Sequence, residues 1–144
     1  MIRQLVYIST SRSLDFSPEA PELLDRARRK NAVNGLTGVL IFSNGSFLQA
    51  LEGPEDVVQA TFDAIAKDPR HHSVIILLDH EVETRSFPDW WMGWQHLSPK
   101  DPLAAQIRKV AGLEDMHLET KALDPSVKIL IDSFLATNAR PIGP

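Results

Sequence analysis

Gly35-Leu-Thr-Gly-Val-Leu-Ile-Phe-Ser-Asn-Gly-Ser-Phe-Leu-Gln-Ala-Leu-Glu-Gly53 decides the fold. Asn44-Gly45 at its centre is the strongest short hairpin signal, because both residues accept positive φ. Val39–Phe42 and Phe47–Leu51 then read as two antiparallel strands. Both are apolar except at Gln49. A buried amide without partners costs about 1–3 kcal/mol, so the fold must set something against it.

Working outward, Gln4–Ser9 is β-branched and aromatic and reads as a strand. Ser17-Pro18-Glu19 reads as a helix start with Ser17 as N-cap. That helix is expected to run to about Asn31, with Leu23, Leu24 and Ala27 on one side, continued by Lys30 and Asn31, and with Arg26, Arg28, Arg29 and Lys30 in its last turn. Pro54 starts a second helix with Val57, Ala60, Thr61, Ala64 and Ile65 inward, ending near Lys67-Asp68-Pro69. Val74–Leu78 is a strand that continues through Thr84, and Trp91–Leu97 reads as an edge strand after Pro88.

The order is βαββαββ, an α+β, ferredoxin-like pattern with a five-stranded mixed sheet. Right-handed crossovers put both helices on one face and bring the first and third strands together. Side chains alternate along strands, so Leu5, Tyr7 and Ser9 share a face, as do Phe47, Gln49 and Leu51. Tyr7 and Gln49 can then be neighbours beneath the cleft between the helices. The other face, with Val6, Ile8, Leu48 and Ala50, needs a cover. Asp101-Pro102 starts one tail helix (Leu103, Ile107, Val110) and Asp124-Pro125 another (Val127, Leu130, Ile131, Phe134, Leu135). Both are expected on the far face. Residues 1–97 and 98–144 are thus read as a ligand-binding part and a helical cap of one globular unit.

The 144 residues suit one domain with a real core. A net charge of −4 argues against a nucleic-acid surface. The absence of cysteine removes thiol chemistry and thiolate metal sites. No apolar run approaches the roughly 20 residues that cross a bilayer, and no leader pattern opens the chain. A cytoplasmic protein without a membrane or nucleic-acid partner is expected.

Taken singly, the candidate residues have ordinary explanations. A strand tyrosine such as Tyr7 is usually core. Asn31 suits a helix end. Arg70-His71-His72 suits a solvated turn, and Trp90, Trp91 and Trp94 suit core or an interface. No Asp, Glu and His set has metal-ligand spacing. Together they read differently. Leu5-Val-Tyr7-Ile-Ser, Lys30-Asn31, Gly35-Leu-Thr-Gly-Val-Leu, Gly45-Ser-Phe-Leu-Gln49-Ala-Leu-Glu-Gly-Pro, Asp68-Pro-Arg-His71 and Phe87-Pro-Asp-Trp90-Trp-Met92 follow one another in the order, and close to the spacing, of the BLUF family. The chain resembles these flavin-binding blue-light sensors over about residues 1–97.

The resemblance implies an isoalloxazine ring between the two helices. Tyr7 matches the electron and proton donor, and Gln49 the amide that bridges it to the flavin. Asn31 matches the residue that bonds the carbonyl and N3 edge. Ser9, Ala27, Leu40, Phe47, Ala64 and Ile65 match pocket-lining positions, and Asp68, Arg70 and His71 the ribityl and phosphate side. Trp90 and Met92 match the pair that exchange places beside the glutamine. Lys30 replaces an asparagine common in the family and is left to the ribityl or phosphate part. FAD is the natural cofactor, and FMN or riboflavin also fit. The implied protein is a sensor and not an enzyme: light moves an electron and a proton from Tyr7, and Gln49 is left rearranged. Its signal is expected to pass through the last strand and tail helices to a downstream signalling protein, and an apolar tail surface favours a homo-oligomer.

Two rival readings use the same fold. An acylphosphatase-like hydrolase would recruit Arg12 and Asn44, but no Gly-rich anion loop surrounds them. A cofactor-free dimerisation module would use the tryptophans as anchors.

Overall fold

The computed structural model describes residues 1–13, 15–16, 18–97, 107–108 and 123–138. Its elements are β1 (Ile2–Ser11), α1 (Ala20–Asn34), β2 (Thr37–Ser43), β3 (Ser46–Gly53), α2 (Glu55–Ala66), β4 (His71–Val82), β5 (Gly93–Leu97), β6 (Ile107–Arg108) and α3 (Pro125–Asn138). They build one mixed sheet in the order β4-β1-β3-β2-β5-β6. The β2–β5 pair is parallel and the other pairs are antiparallel.

The hairpin forms as its sequence requires. Asn44 and Gly45 both have positive φ, 51° and 81°, the type I′ arrangement whose twist suits the flanking strands. This turn fixes the register of β3, which pairs Leu40 with Gln49 on one side and Tyr7 with Gln49 on the other. Gly38 marks a close approach: a Cβ there would lie 1.9 Å from the Ala50 carbonyl oxygen.

The sheet separates two cores. On one face Leu5, Tyr7, Leu40, Phe42, Phe47 and Leu51 pack with Leu24 of α1 and Val58 of α2. On the other, Val6, Val39, Ile41, Leu48 and Ala50 pack with Val127, Ile131 and Phe134 of α3. The far-face placement of the second tail helix is therefore as expected. Asp124 begins it, accepting the Ser126 N–H at 2.9 Å. Glu52 is fully buried, and its carboxylate accepts from Gln4 Nε2 at 2.7 Å and from the Ser86 and Phe87 amides at 2.8 and 2.7 Å. This buried carboxylate ties the end of β3 to the segment that leads into β5.

Four local expectations are corrected. α1 begins at Ala20, with Pro21 in its first turn; the expected N-cap, Ser17, lies outside the described residues. α1 also continues to Asn34, because Gly35 takes the left-handed conformation (φ 74°) and its amide closes on the Asn31 carbonyl. The cations at 26–30 therefore lie before the last turn. Arg26 and Arg29 pair with Glu22 and Asp25 at i,i+4. In α2, Val57, Thr61, Ala64 and Ile65 face the core or the space above it as expected, but Ala60 is exposed, and Val58 and Phe62 also face inward, since they sit at i, i+4 and Phe62 packs on Tyr7. Finally, Ile107 and Arg108, expected in a helix, form the two-residue β6 on the open edge of β5, where unpaired backbone groups accept an extended segment. The rest of that expected helix lies outside the described residues. No helix among the described residues is long and apolar enough to cross a membrane.

Candidate functional site

Between α1 and α2 the sheet is open, leaving a cavity of about 230 Å³. A single water needs roughly 10–15 Å³ measured the same way, so the space suits a sizeable ligand. Tyr7, Leu40, Phe47, Gln49 and Leu51 form its floor. Leu23, Ala27, Lys30 and Asn31 come from α1, and Thr61, Ala64 and Ile65 from α2. Asp68, Arg70 and His71 lie at the α2–β4 end, and Met92 enters just before β5.

The floor holds a chain of hydrogen bonds. Tyr7 Oη donates to Gln49 Oε1, and Gln49 Nε2 donates to Met92 Sδ at 3.3 Å. Gln49 thus uses its acceptor on one side and a donor on the other, the division its planar amide permits. Tyr7 is almost wholly buried, against Phe62 (ring centroids 5.6 Å) and His71 (6.3 Å). Burial pushes its phenol well above the ordinary value, and the negative Asp68 adds to this. Tyr7 is the only tyrosine in the chain, so alkaline titration reads it alone. Tyrosinate absorbance is expected to stay absent through about pH 10, the ordinary tyrosine value, and to appear only as the protein unfolds. The linkage follows the same sign. The unfolded phenol ionises first, so Tyr7 contributes its stability in full below about pH 10 and loses it as pH rises above. A reversible native titration near pH 10 would contradict this.

Around the floor, His71 is held by Ser9 Oγ at Nδ1 (2.7 Å) and by the Ile65 carbonyl at Nε2 (2.6 Å). Asp68 Oδ1 accepts from the Arg70 amide (2.9 Å) and Nε (3.0 Å). Partial burial pushes the Asp68 carboxyl up, but these bonds and the charges of Arg70 and His71 outweigh it and hold the group below its usual range. Asn31 is buried, and its Nδ2 donates to the Trp91 carbonyl at 2.6 Å. Arg28 grips the Met92 carbonyl through Nε (2.8 Å) and Nη2 (2.7 Å).

Most residues singled out from the sequence thus converge on one cleft: Tyr7, Ala27, Lys30, Asn31, Leu40, Phe47, Gln49, Ala64, Ile65, Asp68, Arg70, His71 and Met92 all line it. Two do not. Ser9 lies one step back and orients His71. Trp90 lies on the far face of the sheet, packed on the α3-side core and stacked on Phe87 at 5.9 Å. Sequence reasoning missed Phe16 and Arg28. Phe16 comes from an irregular segment without periodicity. Arg28 looked like one more surface cation, although it sits one helical turn before Asn31, which is the available signal. The tryptophan cluster is no surface anchor either: Trp94 is fully buried and only Trp91 is exposed. Among the described residues no His, Asp and Glu group could hold a metal.

Residues 2–93 match the family model described as "BLUF: Sensors of blue-light using FAD". Over 87 residues the chain is 36% identical to the blue light- and temperature-regulated antirepressor BluF of Escherichia coli (strain K12), a match covering 60% of this chain and 22% of that protein. It is 33% identical over 87 residues to the photoactivated adenylate cyclase subunit beta of Euglena longa, covering 60% of this chain and 10% of that one. The matched segment is thus a small part of either curated relative. Among solved structures, BlrB, a BLUF protein in its dark state, superposes with a TM-score of 0.63 at 26% identity, covering 96% of this chain and 95% of that one.

Proposed function

The chain belongs to the BLUF family, the sensors of blue light using FAD, and from that premise we propose that the cleft holds FAD and that Tyr7, Gln49 and Met92 turn light absorption into a rearranged hydrogen-bond chain. The observation that carries the reading is the Tyr7–Gln49–Met92 chain itself, laid along the floor of a cleft whose α2 wall leaves Ala64 uncovered. The donor set fits a flavin. Small and flat walls (Ala27, Ala64, Leu40, Ile65) suit a planar ring, with a few placed polar groups, Gln49 and Asn31, to orient it. Lys30 and Arg70 are cations suited to a ribityl phosphate. FMN or riboflavin would use the same ring contacts.

A bound flavin supplies blue absorption and, once excited, an acceptor for an electron and a proton. The protein's own part begins at Tyr7 Oη, where the phenol is kept neutral and its O–H is aimed at Gln49 Oε1. If the Gln49 amide turns over, Nε2 faces Tyr7 Oη, which must then accept. Oε1 then faces Met92 Sδ, which can accept but has no proton to give. The second arrangement therefore loses the Met92 contact, and the change is felt where the chain enters β5. In a dry site each pattern is strong and the lost contact is costly, so the two patterns are distinct states.

Residues 1–97 act as the sensor and 98–144 as the cap in this reading. Output passes through β5 and α3 to a downstream cytoplasmic protein, and a homo-oligomer is a further part of the proposal. Purified protein is expected to be yellow and to show a reversible red shift of its flavin band after blue light. Failure to take up flavin on reconstitution, or a loaded protein with no shift, sinks the reading.

A further inference from the structure

Residues 90 and 92 would share a face in a regular strand. Here they do not: Met92 belongs to the core beneath α1 and α2, and Trp90 packs with the core on the α3 side. β5 begins only at Gly93, so strand alternation does not dictate which way residues 90 and 92 face. The orientation of this segment is fixed through its backbone. The Trp90 carbonyl accepts the Gly38 amide at 2.8 Å, the Trp91 carbonyl accepts Asn31 Nδ2 at 2.6 Å, and the Met92 carbonyl accepts both Arg28 donors. Three successive carbonyls are thus held by donors from three residues. The one at Met92 accepts two donors from a cationic guanidinium, so its bonds are charge-assisted.

We infer that Arg28 is a positioning residue: by gripping the Met92 carbonyl it sets which side chain, Met92 or Trp90, stands beside Gln49. The inference rests on the sensor reading for its consequence, but its geometry stands apart from it. Putting residue 90 in the place of residue 92 means rotating the peptide planes between them, and the Met92 carbonyl would leave the guanidinium. Gly93 supplies the complementary seat. A Cβ there would lie 2.2 Å from Trp90 Cε3 and 2.8 Å from Cζ3, so the indole rests directly on the Gly93 backbone and on Phe87. Arg28 touches neither Tyr7 nor Gln49 by any bond described above. Its grip on the Met92 backbone is the contact through which it positions this segment.

The test is the indole N–H signal of Trp90, one of three tryptophans, assigned with Trp90→Phe and read in the dark on flavin-free and flavin-loaded protein. The original chain is expected to give one Trp90 line. Arg28→Ala is expected to displace that line or to add a second with roughly a tenth or more of the intensity, a population that loss of a strong restraint readily releases. Should Arg28→Ala not fold, Arg28→Gln, which keeps one amide donor, is read the same way. An unmoved single line in the folded variant overturns the inference. The light-induced red shift of the original chain is recorded separately, so failure of the sensor reading and failure of the Arg28 role are told apart.

Discussion

Tyr7→Phe is expected to leave the protein yellow and to abolish its reversible red shift. The ring stays, so packing against Phe62 and His71 is kept, and the cleft floor keeps its shape. What goes is the one hydroxyl that meets Gln49 Oε1. No neighbouring side chain on the floor can replace it: Phe47, Leu40 and Leu51 are apolar. The lost bond leaves a buried acceptor unpaired, at a cost of about 1–3 kcal/mol in stability, which denaturant unfolding can measure alongside. Gln49→Leu removes the other half of the pair and is expected to abolish the shift as completely. It leaves the phenol unpartnered instead, and no leucine can exchange donor for acceptor. A dark-minus-light difference spectrum decides both, and a reversible shift surviving in either variant refutes the assigned roles.

Gly38→Ala is expected to be severely disruptive. The added carbon would sit 1.9 Å from the Ala50 carbonyl oxygen and 2.9 Å from its carbon, and both are backbone atoms of the central strand β3. No side-chain rotation relieves such a clash. β2 must move away, taking with it the Gly38 amide that holds Trp90. A loss above about 3 kcal/mol is expected, in the range of severe overpacking and strain. Gly35→Ala is the control. Its φ is also positive, at 74°, but nothing lies within 4 Å of the new carbon, so only backbone strain of about 1 kcal/mol is at stake. Urea midpoints of the two variants test this, and equal losses would show that the close approach is not what selects glycine at 38.

Much of this was legible beforehand because local chemistry and global pattern agree. Asn44-Gly45 forced the turn, the turn forced the register, and alternation then put Tyr7 and Gln49 on one face. The i, i+3, i+4 stripe after Asp124-Pro125 gave α3 and its side of the sheet. Period and caps carry that kind of information. The phase of α2 was less legible, since Val57, Val58, Ala60, Thr61 and Phe62 allow two inner faces. The choice was made by Tyr7, a partner far away in sequence. The end of α1 is not legible at Asn31, because Gly35 supplies the left-handed residue. The opposite facing of Trp90 and Met92 could not be read from a period-2 rule, because donors from three residues distant in sequence hold this segment. Arg28 belongs to the same class: a side chain defined by a backbone acceptor 64 positions away.

The alternation along β3 has a consequence for how this chain can vary. Leu48, Gln49 and Ala50 are consecutive, yet they answer alternately to the α3 core and to the cleft. One residue inserted after Gly45 would turn the whole strand over, sending the amide to the lipophilic underside and aliphatic carbons to the chamber. Point changes at this hairpin degrade the device by degrees, whereas a change of length by one inverts it. The count of residues between the turn and Gln49 is thus under tighter constraint than the identity of most of them.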